Sequence, residues 1–146
     1  MLLDPRGPRF VAAVTSVVLV FILITGSGWL ALGQAVVFAI AAGWPRYSPY
    51  GLVYRRLVAP RLPRPTELEP AAPVRFAQTL GLGFTTVATA GYLLGVPLLG
   101  LVFTAFALVA AFLNAAFGLC LGCEVYLAFR RLTHRPVPSR VPAPGA

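Results

Sequence analysis

The stretch LLGLVFTAFALVAAFLNAAFGL, residues 98–119, holds no charged side chain from end to end. Coiled as a helix it is about 33 Å long, against a hydrocarbon thickness of about 30 Å. A core helix of a water-soluble domain is apolar on one stripe and polar on the other, whereas here every face is apolar. The segment before it, from Val74 to Leu94, is almost as apolar, and Gly95-Val96-Pro97 lies between the two. Proline lacks a backbone donor and disfavours helix in the residue before it, so the pattern predicts a tight helical hairpin and not one long rod.

Moving outward, two further apolar segments run from Phe10 to Thr25 and from Trp29 to Ala42, with Gly26-Ser27-Gly28 as the turn between them. They have 16 and 14 residues, roughly 24 and 21 Å of helix, and can span only where the bilayer thins. Trp29 and Trp44 stand at the ends of the second segment, where an amphipathic indole suits the headgroup level. The first segment differs from a cleaved signal peptide: Asp4 and two prolines precede it, and no small-x-small cleavage site follows.

The composition agrees. Of 146 residues, 58% are hydrophobic, and twelve arginines face only four acids. Mean hydropathy is +0.82. A globule of this size cannot cover so much apolar surface, so lipid is the expected partner. No nucleic-acid module accompanies the arginines, and nucleic acid is not expected. Apart from Arg75, at the start of the third apolar run, they flank those runs, in the N-terminal segment, in residues 45–73 and after residue 129, while the turns at Ser27 and Val96 carry none. The positive-inside rule places those three segments in the cytoplasm.

The expected fold class is therefore all-α: an integral membrane protein with four transmembrane helices as two hairpins and both termini cytoplasmic. The spans are predicted at about 10–26, 28–44, 74–94 and 98–127 within a single domain, 1–132. Residues 45–73 form a cytoplasmic loop with seven prolines. In that loop Leu52, Val53, Tyr54, Leu57 and Val58 surround Arg55 and Arg56, a pattern that fits either a short interfacial helix or a solvated loop. The tail, 133–146, is rich in proline and is expected to be disordered, with nothing to pack against.

Chemistry concentrates at the end of the fourth segment. The chain's two cysteines, Cys120 and Cys123, are three apart, with Glu124 beside them. On a continuous helix from Leu98 they share one face near the cytoplasmic edge, their Cα atoms about 5 to 6 Å apart, a separation a reversible disulfide tolerates. Folding the hairpin back at Val96 sets Gln78 level with Asn114 and Arg75 one turn below Cys120, so that these groups form one polar cluster. A guanidinium there favours the thiolate and the carboxylate opposes it. The competing reading is packing alone: Gly118 and Gly122 make a Gly-x-x-x-Gly face, and cysteine is an ordinary small residue in membrane helices. No metal or cofactor is expected. A zinc site needs four ligands and the sole histidine, His134, lies in the tail, which leaves copper(I) between two thiolates as the metal alternative. One histidine and four acids are too few parts for a hydrolytic triad.

The segments Asp4-Pro5-Arg6-Gly7-Pro8-Arg9-Phe10, Arg75-Phe76-Ala77-Gln78 and Leu113-Asn114-Ala115-Ala116-Phe117-Gly118-Leu119-Cys120-Leu121-Gly122-Cys123-Glu124 together resemble domain-of-unknown-function family 4395 of bacterial membrane proteins. The likeness runs to about Leu132. It implies a bacterial cytoplasmic-membrane location and an association with thioredoxin-like or sulfurtransferase proteins, and it establishes no activity.

These readings converge on a membrane-embedded thiol-disulfide or sulfur-relay protein. Cys120 and Cys123 react, Arg75 tunes the thiolate, Glu124 moves a proton, and Gln78 and Asn114 support them. Whether it is an enzyme is left open. Two other classes stay open as well: a small-solute carrier lined by Gln34, Gln78, Asn114 and Glu124, which a homo-oligomer would complete, and a non-catalytic assembly subunit.

Overall fold

The computed structural model describes residues 2–144. It is mostly helical, with α1 at Arg6–Thr25, α2 at Gly28–Gly43, a short α3 at Pro49–Val53 that runs on as a wide π-turn through Val58, α4 at Ala71–Leu93, α5 at Pro97–Phe117 and α6 at Leu121–Leu132. Two helices begin earlier than their hydropathy suggests, and proline explains both. Pro8 and Pro73 each sit in a first turn, where a backbone N–H would have no helical partner anyway. Pro97 opens α5 for the same reason.

Helices joined by the first turn do not pair mainly with each other. α1 lies along α5 and α2 along α4, while α4 and α5 pack together and α6 rests on α4. The bundle is thus laced across its two hairpins, with α4 touching most of the others. A small cluster of Leu19, Ile22, Ala31 and Ala107 marks where α1, α2 and α5 converge, and Phe84 and Tyr92 of α4 pack on it. Buried hydroxyls bond inside their own helices: Thr85 Oγ1 donates to Gly81 O at 2.8 Å, Thr89 Oγ1 to Thr85 O at 2.7 Å and Thr104 Oγ1 to Gly100 O at 2.7 Å. That removes the cost of burying them without any partner helix.

The exterior is apolar. Ile24 is 75% exposed, Leu98 71% and Phe112 55%, and Trp29 and Trp44 project from the two ends of α2. Surfaces of this kind mark contact with a membrane or a partner. Two helices, α1 and α5, are long and apolar enough to cross a membrane; α2 is apolar but has only 16 residues. The 23-residue α4 carries Arg75, Gln78 and several threonines, which lower its hydropathy without shortening it.

The structure corrects the sequence reading in three places. The fold is not purely helical: β1 (Leu2–Leu3), β2 (Glu67–Pro70) and β3 (Val141–Pro142) form a three-stranded antiparallel sheet in the order β1-β2-β3. Leu3 pairs with Glu69 and Leu68 with Val141. The tail accordingly has a partner, for Arg140 approaches Glu67 and Glu69 at 3.9 and 4.0 Å, where the pairing sets opposite charges side by side. One small sheet thereby gathers the N-terminal segment, the central loop and the tail at one end of the bundle.

The third correction concerns the helix predicted over 98–127, which is two helices. Gly118 adopts a left-handed conformation, φ 69°, its N–H bonding Asn114 O at 3.0 Å, and Leu119 N–H reaches Leu113 O at 3.3 Å. This is an αL stop, in which the C′ glycine bonds the carbonyl four residues back, and glycine takes that φ without strain. After the break the chain re-enters helix as α6, whose Gly122 lies so close to α4 that a Cβ there would stand 2.6 Å from Ala77 Cα. Gly122→Ala should therefore cost about 1–3 kcal/mol through overpacking. Gly83→Ala, on an open helical surface, should stabilise by about 0.5–1 kcal/mol. Thermal unfolding of the two variants beside the parent protein measures both.

Candidate functional site

The break at Gly118 sets the position of the sulfur pair. Cys120 occupies the extended cap position before α6 (φ −84°, ψ 95°), and its Sγ accepts a hydrogen bond from Cys123 N–H at 3.3 Å. Cys120 and Cys123 form a disulfide with their Cα atoms 5.1 Å apart. They were expected on one face of an uninterrupted helix; instead one caps α6 and the other lies in its first turn. Cys123 is 7% exposed and Cys120 is partly so, which makes Cys120 the accessible sulfur. When reduced, a Cys120 thiolate would face the N–H groups and the positive dipole end of α6, both of which favour the anion.

Cys120 also borders a cavity of about 660 Å³ between α1, α2, α4, α5 and α6, and Gln78 and Asn114 line the same space. Cys120, Gln78 and Asn114 therefore share the lining of one void and do not form a bonded cluster. Of the chain's three side-chain amides, Gln34 alone has a protein partner among the described residues: Tyr50 Oη donates to its Oε1 at 2.8 Å. Gln34 is 2% exposed, its Nε2 has no partner, and it lies outside this cavity.

Arg75 and Glu124 are placed elsewhere. Arg75 Nε donates to Ala42 O at 2.7 Å and Nη2 to Gly43 O at 3.5 Å, so it closes the C-terminal end of α2, where a cation suits the exposed carbonyls. Glu124 is exposed in the first turn of α6, a favourable place for an acid, and makes no ion pair among the described residues. The cation beside the break is Arg9 of α1. Its Nη2 reaches Ala115 O at 3.4 Å, and its guanidinium lies against Gly118, two residues before Cys120. Sequence reasoning missed it because Arg9 is 111 positions away in the chain and the left-handed turn at Gly118, which leaves the carbonyls of α5 to be met, shows only in the backbone.

A second polar arrangement sits at the sheet-bearing end. Asp4 accepts from Arg6 N–H at 2.9 Å, through Oδ1, and from Tyr54 Oη at 2.8 Å, through Oδ2. Phe10 packs on the Tyr54 ring, 5.7 Å between centroids. The loop after α2 is anchored there, and Arg46, Arg55 and Arg56 border the adjoining hollow of about 850 Å³. Burial, then the bond to Asp4 and its negative charge, push the Tyr54 phenol up to about 12, against the small opposing effect of Arg6.

The model of a family described as a domain of unknown function, DUF4395, matches residues 3–131, from β1 through nearly all of α6. No curated protein and no solved structure matches the chain.

The Asp4–Tyr54 bond should be worth about 1–2 kcal/mol, so Tyr54→Phe should lower the unfolding midpoint accordingly. Because the folded phenol ionises above its ordinary value of 10, its contribution is complete below pH 10 and disappears as pH rises through about 12. Ultraviolet titration of tyrosinate, with and without the substitution, reads this directly.

Proposed function

This chain belongs to the DUF4395 family, and we propose that it is a membrane-embedded thiol-disulfide exchange protein whose working bond is Cys120–Cys123. The observation that carries the reading is the disulfide at the start of α6, with Cys120 as the cap and Cys123 N–H directed at its sulfur. As a structural staple the bond would do little: in the chain-entropy view so small a loop yields about 2 kcal/mol, less than any longer cross-link. As a reactive bond it is well supplied, with one accessible sulfur, one buried sulfur and a helix terminus that stabilises the thiolate form.

The exchange needs only thiols. A partner thiolate attacks Cys120 Sγ, a mixed disulfide forms, and Cys123 leaves as a thiolate that takes up a proton. A second thiolate of the partner then attacks its own sulfur in the mixed disulfide and expels Cys120 as a thiolate. The net result is one disulfide exchanged for another, two electrons passing to this chain. A soluble protein of the thioredoxin type, with a Cys-x-x-Cys pair on its surface, fits this role.

The membrane setting rests on the apolar exterior, on the length and hydropathy of α1 and α5, and on the arginines gathered at one end. In this reading α1, α2, α4 and α5 cross the bilayer with the basic end in the cytoplasm. α6 lies along the interface: Leu121, Val125, Phe129 and Leu132 form an exposed apolar stripe at helical spacing, and Arg130 and Arg131 occupy its last turn. The exposed cap of α6 then meets the cytoplasm, within reach of a soluble partner.

Alkylation of native membranes with a mass-tagged maleimide tests the reading. Dithiothreitol should expose two reactive thiols and an oxidant should hide both, while Cys123→Ser should leave Cys120 able to trap a partner as a mixed disulfide. Thiols that never change state under either treatment would refute it.

A further inference from the structure

We infer that the cavity beside Cys120 binds a lipophilic quinone, which takes electrons from the reduced cysteine pair and re-forms the disulfide. The inference rests on the exchange reading above, because a pair reduced by a partner turns over only if something reoxidises it. The acceptor's chemistry is set by the walls of the cavity. None of the residues lining its roughly 660 Å³ is charged, so the ligand is neutral. Phe84, Phe103 and Phe106 line it with ring centroids 6.1 to 6.3 Å apart, a surface for a flat ring or an isoprenoid chain. The volume is that of an ordinary small-molecule site.

Its polar side is equally specific. Gln78 and Asn114 line the cavity, their side-chain amides have no hydrogen-bond partner among the described residues, and Cys120 borders the same space. Amide donors suit carbonyl oxygens, and a quinone carries two. Phe106 and Val109, 56% and 55% exposed, lie where the cavity meets the outer face of α5, so a ligand dissolved in lipid enters there without crossing water. Quinone is the class that is neutral, soluble in lipid, rich in carbonyl acceptors and able to take two electrons.

The step balances. The Cys120 and Cys123 thiols give up two electrons and two protons as the S–S bond forms, and the quinone takes both at its two oxygens to become the hydroquinone. Bound through the amides, its ring lies beside Cys120 and its tail along the phenylalanines. Electrons then run from the soluble partner, through the sulfur pair, to the membrane pool.

The test uses the whole protein in lipid nanodiscs, reduced, freed of reductant and kept anaerobic. The probe is a benzoquinone with a fully substituted ring and one isoprenoid unit, so that no thiol can add to it. Ultraviolet absorbance follows hydroquinone and mass-tagged alkylation follows thiols. One hydroquinone is expected per disulfide formed. Relative to oxidation by cystamine, a small disulfide that needs no cavity, Gln78→Leu and Asn114→Leu should each slow the quinone reaction about tenfold, whereas Gly83→Ala should alter neither rate. Oxidation by cystamine without oxidation by quinone would overturn this inference and leave the exchange reading intact. Failure of both would overturn both, and an unchanged ratio in the leucine variants would show that quinone reacts with surface thiols and not in the cavity.

Discussion

In the proposed membrane setting, helices with apolar outward faces gain little by packing those faces together, so contact between them must come from close approach and from polar groups that ask nothing of their surroundings. α4 shows how both conditions are met. Small residues line its contacts: Gly81 lies under the Phe38 ring of α2, Gly91 meets Gly100 of α5, and Ala77 meets Gly122 of α6. Three of its four threonines, Thr79, Thr85 and Thr89, turn back on their own helix's carbonyls, so those hydroxyls demand no partner from a neighbouring helix. The rest of the bundle is organised by this helix, which touches α2, α5 and α6 and leaves α1 to be held through α5.

Much of this was legible in the sequence, for reasons that particular residues make clear. Gly95-Val96-Pro97 announced the second hairpin because a proline and a left-handed glycine both obstruct helix, and Gly26-Ser27-Gly28 announced the first. Helix starts were read too late because prolines count as breakers, although Pro8 and Pro73 sit in first turns where they break nothing. The end of α5 was overlooked because hydropathy runs on through Gly118 to Cys123 without interruption; only backbone geometry marks the stop. The strand pairing of the tail was invisible for a different reason, since two residues of strand carry no periodicity to detect.

The site follows the same division. Gln78 and Asn114 line one cavity, and equal rise on either side of a turn at Val96 puts them level, whereas Cys120 lies beyond the break at Gly118, where that register no longer applies. Partners that depend on a third helix could not be read this way. Arg75 finds the last carbonyls of α2 and Arg9 finds those of α5, two arginines closing two helix ends, and neither pairing is encoded by local spacing. What the break adds is asymmetry between two otherwise similar sulfurs: one at a cap, part exposed, the other inside the first turn and covered.

The three-stranded sheet also has a bearing on how the chain is assembled. β2 lies between β1 and β3, so its pairing with β1 can form once residue 70 is available, and the other edge stays open while α4, α5 and α6 are being made. β3 is the last of the three strands to be made, so an interrupted synthesis would leave that edge of β2 uncovered and free to join with another chain.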